Sequence, residues 1–300
     1  MSLLHKLLGL GGGREALRKA VAPTAELLET RMMLTACMID GTGSADTILV
    51  YVDTVSGIVK YKLNGGAEQS TGIAYSLIDL TVNGAGGNDT IEIQKQASLP
   101  LDAAHLNGGD GNDTIKPGFG DETIQGGAGT DLLDYSGRTT GVRIYLDSAD
   151  GDSGEDGVDS HRIANGEVEN AKGGSGEDWI YGNSGANVLW GLGGNDVISG
   201  DDGGDVIYGG GDDDALFGEG GYDGLWGESG DDSLYGGAGN DYMYGGYGED
   251  YLEGGDGNDY MMGNEDNDTV SAADGYRDTF LGGTGADVVW SQDAFDEIML

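Results

Sequence analysis

A strict nine-residue repeat constrains the fold of this chain more than any other feature of its sequence. Eleven units follow one another without a break from Gly173 to Ser271. All eleven begin with Gly and carry an apolar residue at the eighth position, and ten carry Asp at the sixth position, where the exception is Asn187. Further copies lie at 41–49, 84–92, 108–116, 117–125, 126–134 and 282–290. Such periodicity predicts a solenoid whose units pack against their neighbours in the chain.

The residues of each unit predict a turn followed by a short strand. Glycines at positions 1, 2 and 4 would allow the positive φ angles that a tight turn requires. The last three residues form a strand whose middle side chain, at position 8, points inward because side chains alternate along a strand. Two units then make one coil of 18 residues with two strands. Stacked coils predict an all-β fold, a parallel β-roll or β-helix solenoid of nonapeptide repeats with metal ions in the turns.

The acids at position 6 fall into two columns along such a stack, because units two apart lie on the same edge. Asp178 and Asp196 share one column, and Asn187 and Asp205 share the other. Neighbouring turns lie about 4.8 Å apart, so the carboxylates repel one another unless a cation lies between them. Ca²⁺ suits this position because it accepts about 6–8 oxygen ligands in irregular geometry, whereas Mg²⁺ demands a stricter octahedron. The sequence therefore predicts several bound calcium ions.

The predicted calcium ligands are the acids of the well-formed units. They are Asp113, Asp131, Asp178, Asp196, Asp205, Asp214, Asp223, Asp232, Asp241, Asp250, Asp259, Asp268 and Asp287. Three positions depart from the pattern: Asn187 replaces the acid, and Asp212 and Asp266 replace the fourth Gly. We expect weaker calcium binding beside those turns.

Composition excludes several classes of function. With 54 acidic and 14 basic residues, the formal net charge is −40, which opposes binding to nucleic acid. The chain has no apolar run as long as the roughly 18 residues of a membrane span. Its three histidines form no HExxH zinc pattern, and no nucleophile elbow or P-loop is present. These features predict that the protein is not an enzyme, although paired carboxylates for glycoside chemistry stay open.

The repeat units resemble the RTX, or haemolysin-type, calcium-binding repeat GGxGxDxUx. The stretch that begins DYSGRTTGVRIYLDSADGD is similar to the corresponding part of serralysin-type C-terminal β-rolls. That resemblance implies a roll over 108–299, with longer coils over 135–172 and the main array over 173–271. It also implies a secreted protein that folds when it binds calcium and that has a structural, adhesive or surface-associated role.

The two ends of the chain carry further signals. Residues 1–38 predict a leader, and LLETRMMLTA within them resembles the LEPRxLL export motif of planctomycete proteins. Residues 39–107 predict a β-rich cap that contains isolated repeats. The final AFDEIML resembles the end of type I secretion substrates, or else forms a last strand that caps the roll. We therefore expect a secreted, extracellular protein.

One predicted outer face of the roll is rich in aromatic residues at position 9. They are Trp190, Tyr208, Trp226 and Tyr244. An exposed aromatic strip predicts a docking face for polysaccharide or a cell-surface partner. Alternatively, the rings form a ladder that stabilises their own sheet. The alternative function is accordingly a carbohydrate- or partner-binding module.

Overall fold

The computed structural model of the chain describes residues 35–53, 55–56, 58–74, 78–94, 104–118, 122–147, 154–155, 162–163, 167–272, 274–292 and 296–299. Every regular element within these ranges is a β-strand, so the predicted all-β class is confirmed. The predicted leader, with most of its LEPRxLL-like segment, lies outside the described residues as far as position 34.

The strands are short, and most follow directly from the repeat. In chain order they are β1 (Thr35–Asp40), β2 (Thr47–Val52), β3 (Ile58–Leu63), β4 (Gln69–Ala74), β5 (Ile78–Gly86), β6 (Thr90–Ile93), β7 (His105–Asp110), β8 (Thr114–Lys116), β9 (Thr123–Ala128), β10 (Leu132–Asp134), β11 (Val142–Tyr145), β12 (Gly154–Glu155), β13 (Arg162–Ile163), β14 (Asn170–Lys172), β15 (Trp179–Tyr181), β16 (Val188–Gly193), β17 (Val197–Ser199), β18 (Asp202–Gly203), β19 (Val206–Gly211), β20 (Ala215–Gly221), β21 (Gly224–Ser229), β22 (Ser233–Gly239), β23 (Tyr242–Tyr247), β24 (Tyr251–Asp256), β25 (Tyr260–Glu265), β26 (Thr269–Ala272), β27 (Thr279–Thr284), β28 (Val288–Gln292) and β29 (Glu297–Met299).

These strands form three sheets. A long sheet of 14 strands has the order β29-β27-β25-β23-β21-β19-β16-β14-β10-β8-β6-β2-β3-β4. The N-terminal sheet has the order β1-β5-β7-β9-β13, and the C-terminal sheet has the order β12-β11-β15-β17-β20-β22-β24-β26-β28, with β18 paired to β20. From β19 to β29 successive strands alternate between the long sheet and the C-terminal sheet, as a coil of two strands requires.

The register of the main array matches the predicted period. Ile180 pairs with Ile198 in the C-terminal sheet, and Leu189 pairs with Ile207 in the long sheet, both in parallel strands. The apolar residues at position 8 are all fully buried and belong to one core that runs between the sheets. The predicted parallel β-roll is therefore confirmed, and each turn lies directly above the turn 18 residues earlier.

The repeat copies near the N-terminus join the same stack. Thr47 of β2 pairs in parallel with Thr90 of β6, which in turn pairs with Thr114 of β8. Strands β3 and β4 continue the long sheet in antiparallel pairing and end it. Lys60 on β3 bonds both Asp53 and Glu68 at 2.7 Å. Charged side chains on such a terminal hairpin discourage pairing with another chain.

Candidate metal centre

Two columns of acidic side chains run along the edges of the roll, where each turn enters a strand. One column precedes the C-terminal sheet and contains Asp178, Asp196, Asp214, Asp232, Asp250, Asp268 and Asp287. The other precedes the long sheet and contains Asp46, Asp89, Asp113, Asp131, Glu169, Asn187, Asp205, Asp223, Asp241, Asp259, Asp278 and Asp296. The structure therefore brings every predicted ligand into one of these two columns.

A hydrogen-bond ladder fixes one oxygen of each carboxylate. The backbone N–H of Asp196 donates to Oδ1 of Asp214 at 2.8 Å, and the N–H of Asp214 donates to Oδ1 of Asp232 at 2.8 Å. The same bond recurs along both columns at distances from 2.6 to 3.2 Å. Each acid thus ties its own turn to the turn before it, and at the Asp residues this ladder uses Oδ1 and leaves Oδ2 outside it.

The second oxygen of most of these carboxylates is buried without a hydrogen-bond partner. It is Oδ2 of Asp89, Asp113, Asp131, Asp196, Asp205, Asp214, Asp223, Asp232, Asp241, Asp250, Asp259 and Asp268. Their side chains are at most 3% exposed. Burying a charged oxygen without a partner lowers the stability of the fold by roughly several kcal/mol, unless a cation compensates the charge. Hard oxygen donors repeated in register suit Ca²⁺, so the residues fit this ion.

Position 1 of each unit is glycine because of this second oxygen. A Cβ built on Gly191 would lie inside van der Waals contact of Asp196 Oδ2 and 2.6 Å from the carbonyl oxygen of Gly209. Position-1 glycines elsewhere in the array meet the acid of their own unit in the same way. None of the position-1 glycines between 173 and 263 has a positive φ. The expectation that position 1 supplies a positive φ was therefore wrong, since its role is to leave room for the carboxylate.

Positive φ is confined to positions 2 and 4 of the units in this array. Gly237 and Gly239, at positions 2 and 4 of one unit, have φ of 102° and 151°. Other residues adopt the same conformation at position 2, among them Leu192 at 85°. Asp212 and Asp266 do so at position 4, with φ of 73° and 72°. The turn therefore keeps its shape where glycine is replaced, at a cost of about 1–2 kcal/mol per residue.

Burial also changes the protonation of the acids in the metal-free chain. It raises the pKa of Asp196 and Asp250 to about 8, with nearby carboxylates adding to the effect and the bond from a backbone N–H opposing it. The pKa rises to about 7 for Asp205, Asp214 and Asp259, and to about 6 for Asp131, Asp178, Asp232, Asp241 and Asp268. Folding without a cation therefore favours the neutral acids, because desolvation penalises the charged form.

Two predicted ligands differ from the rest. Both oxygens of Asp178 are bonded, Oδ1 to the N–H of Val142 at 2.8 Å and Oδ2 to the N–H of Gly174 at 2.5 Å. Asp287 is half-buried and accepts a bond from the N–H of Asp268 at 3.1 Å. Asp178 begins its column and Asp287 ends it, so each has a neighbouring acid on one side only.

The turn at Asn187 is closed by hydrogen bonds of the amide. Asn187 Oδ1 accepts the backbone N–H of Asn183 at 2.8 Å, and Nδ2 donates to the carbonyl of Glu169 at 2.7 Å. Oδ1 of Asn187 therefore faces Gly182, where the other units present the bare Oδ2, but it is a neutral oxygen that already accepts a hydrogen bond, and Nδ2 takes the place of the ladder oxygen. The predicted weakening of calcium binding at this turn stays a prediction, and the geometry supplies a reason for it.

Sequence reasoning missed several acids of the column beside the long sheet. Asp89 has the same buried, unpartnered Oδ2 as the predicted ligands, and Asp46 donates its N–H to Asp89 Oδ1 at 2.6 Å. Glu169 takes the acid position of a coil without the repeat motif, and its Oε2 accepts the N–H of Asp131 at 2.8 Å. The signal for Asp46 and Asp89 was present in GTGSADTIL and GAGGNDTIE.

The aromatic residues of the long sheet form a ladder of stacked rings. Ring centroids lie 6.1 Å apart for Trp190 and Tyr208, 5.0 Å for Tyr208 and Trp226, and 5.7 Å for Trp226 and Tyr244, with interplanar angles of 9°, 22° and 5°. Lys172 Nζ lies 4.6 Å from the centroid of Trp190. The ring faces are therefore turned towards one another along the ladder and stabilise the sheet. Binding of polysaccharide or a surface partner at these residues stays a prediction.

Comparison with known proteins agrees with this geometry. The family model of the RTX calcium-binding nonapeptide repeat (4 copies) matches residues 103–134, 164–198, 172–207, 190–225, 225–252, 235–270 and 272–294. These matches together cover more than half of the 300 residues. No curated protein matches the chain.

A solved structure also matches the chain. It is a hyperactive, Ca²⁺-dependent, β-helical antifreeze protein from an Antarctic bacterium, 20% identical, with 74% of this chain and 78% of that chain covered and a TM-score of 0.28. A match at this level says nothing about what the present chain binds. Among the described residues there is no helix long and apolar enough to cross a membrane.

Proposed function

The chain belongs to the family of RTX calcium-binding nonapeptide repeat proteins, and we propose that it is a secreted β-roll that folds when calcium fills its acidic turns. Binding of Ca²⁺ and the roll itself follow from the family. The proposal concerns which residues hold the ions, where the protein works and what it does there.

One observation carries the proposal: twelve buried carboxylates, in register, each present an oxygen without a hydrogen-bond partner. We assign these acids, with Asp178 and Asp287 at the ends of their column, as the side-chain ligands. Bound calcium would supply the positive charge that the columns require. The acids themselves link turn to turn through Oδ1, while the glycine at position 1 leaves Oδ2 room to face the ion.

Coupling between metal and fold follows from the charge of the chain. With a formal net charge of −40, the chain repels itself when it is compact and metal-free. The unfolded chain holds no preformed site, so the free energy of calcium binding becomes free energy of folding. Extracellular calcium modules bind with Kd of about 10⁻⁴ to 10⁻³ M, well above cytosolic calcium. Such an affinity would keep the chain unfolded and exportable inside the cell and folded outside it.

A structural, adhesive or surface-associated role suits a rigid rod of stacked coils. The family to which the chain belongs supports this role, and the export-like N-terminal segment supports secretion. Catalysis is not part of the proposal, because the acids in register are committed to the ladder and to calcium.

A calcium titration of the full chain, followed by far-UV circular dichroism with magnesium as the control, tests the proposal. We expect a cooperative rise in β-signal with calcium alone, with a midpoint of about 10⁻⁴ to 10⁻³ M. A β-signal that survives excess chelator at about pH 8, where most of the acids are ionised, would show that the acid columns do not control folding. A midpoint of about 10⁻⁸ M, the range of cytosolic calcium buffers, would overturn folding on export.

A further inference from the structure

The turn between β26 and β27 departs from the repeat. Its acid, Asp278, lies 19 residues after Asp259 instead of 18. Ala273, Asp274 and Tyr276 stand where a regular unit has glycine at positions 1, 2 and 4. The turn has thus lost the usual glycines and gained a carboxylate that the repeat motif does not contain.

Asp274 is held against the column by two hydrogen bonds. Its Oδ2 accepts the backbone N–H of Gly257 at 2.9 Å, and its Oδ1 accepts the N–H of Tyr276 at 2.9 Å. One carboxylate oxygen from each of Asp259, Asp274 and Asp278 lies within 4.8 Å of the other two. Over the described ranges, three acidic groups converge in this way at this turn alone.

A buried oxygen in the same cluster has no hydrogen-bond partner. Asp259 is 2% exposed, its Oδ1 accepts the N–H of Asp241 at 2.9 Å, and its Oδ2 has no partner. The nearest basic residue in the sequence, Arg277, forms an ion pair with Glu297. The cluster therefore holds three carboxylates and a bare buried oxygen, an arrangement that a divalent cation stabilises.

We propose that Asp259, Asp274 and Asp278 form a three-carboxylate calcium site that fills before the regular turns of the array. This inference rests on the proposed binding of calcium between turns and adds a ligand from outside the repeat. The distances suit Ca²⁺, whose ligand oxygens at about 2.3–2.6 Å stand up to about 5 Å apart across the ion. Calcium affinity rises with the number of charged ligands, so the third carboxylate makes this the tightest site.

Hydrogen exchange of the full chain, measured by mass spectrometry against calcium concentration, tests the proposal at the site itself. Peptides covering 254–262 and 274–281 report on the three-carboxylate site, and a peptide covering 191–199 reports on a regular turn. We expect the first two to gain protection at lower calcium than the third. Asp274→Asn should raise the midpoint at the site about tenfold or more.

Asp256→Asn is the matched control, because it removes one charge from the neighbouring turn at an exposed position outside the cluster. It should leave the midpoint unchanged, and Asp274→Glu should restore most of the affinity. Equal midpoints for Asp274→Asn and Asp256→Asn would overturn the proposal. The proposal would also be overturned if the site peptides of Asp274→Asn stayed unprotected from hydrogen exchange at saturating calcium, since Asp274 would then have a purely structural role. Absence of calcium-induced protection at 191–199 in the unmodified chain would instead overturn the proposed function.

Discussion

Replacement of Gly191 by alanine tests whether the carboxylate dictates the glycine that opens each turn. The backbone φ of Gly191 is not in the left-handed region, so the conformation itself accepts alanine. The new methyl group would collide with Asp196 Oδ2 and with the carbonyl oxygen of Gly209. Any loss of stability therefore comes from contact with the metal-binding side of the turn and not from backbone strain.

The magnitude follows from what the Asp196 carboxylate must give up. If it moves away, the buried N–H of Asp178 loses its acceptor at 2.7 Å, which costs about 1–3 kcal/mol. Forcing a methyl group into a packed site costs about 1–3 kcal/mol more. Gly191→Ala should therefore destabilise the calcium-loaded chain by about 2–6 kcal/mol. Gly193→Ala in the same turn is the control, since its nearest heavy atom, Ser175 Cα, lies 4.0 Å away.

Urea unfolding at saturating calcium, followed by far-UV circular dichroism, measures the difference between the two variants. A double-mutant cycle with Asp196→Ala then identifies the cause. Once the carboxylate is gone, Gly191→Ala should cost much less, and the remainder should reflect the contact with the Gly209 carbonyl. Equal stability of Gly191→Ala and Gly193→Ala would refute the steric explanation, and strict additivity in the cycle would refute the part assigned to Asp196.

Two further predictions concern protons and the Asn187 turn. In chelator, the free energy of unfolding should rise as the pH falls from about 8 to about 4. The buried acids have a pKa of about 6–8 in the folded chain and near 3.8 in the unfolded chain. The folded state therefore binds more protons, and added protons stabilise it. With calcium bound the trend should reverse, since protons then compete with the ion for the carboxylates. Circular dichroism at several pH values, in chelator and in saturating calcium, measures both trends. A stability in chelator that does not change with pH would contradict the prediction. Asn187→Asp should destabilise the chelated chain, because it removes the bond to the Glu169 carbonyl and buries a charge. The same variant should bind one more calcium ion, which equilibrium dialysis would count, and an unchanged count would contradict this.

The main array was predictable because one period specifies both its core and its acid columns. Ile180 and Ile198 are buried and paired because position 8 recurs at the spacing of a coil. The same spacing places Asp178 next to Asp196. Periodicity in a solenoid therefore carries long-range information that a non-repetitive sequence does not provide.

The remaining features depend on contacts that spacing does not encode. Asp46 and Asp89 lie 43 residues apart, yet they are neighbours in the column because β3 and β4 leave the stack between them. Glu169 joins the same column without a motif, since its longer side chain reaches the N–H of Asp131. The sequence also does not reveal the role of Gly191. A glycine that is required by a positive φ and a glycine that is required by a nearby oxygen look the same in a repeat pattern.

The structure of the turns explains why calcium and folding belong together along the whole rod. Each acid of the array binds the preceding turn through Oδ1 and directs Oδ2 towards the glycine at position 1, so the side chain that stacks the coils is also the one that needs the ion. A coil without calcium therefore weakens its neighbour directly, as expected for a solenoid whose stability resides in adjacent units. At Asn187 the connection to the preceding coil is instead a bond from Nδ2 to the Glu169 carbonyl. The N-terminal acids and the acids of the main array are thus connected at Asn187 by a hydrogen bond of its side-chain amide. The coils on either side therefore stay bonded at this turn without a calcium ion.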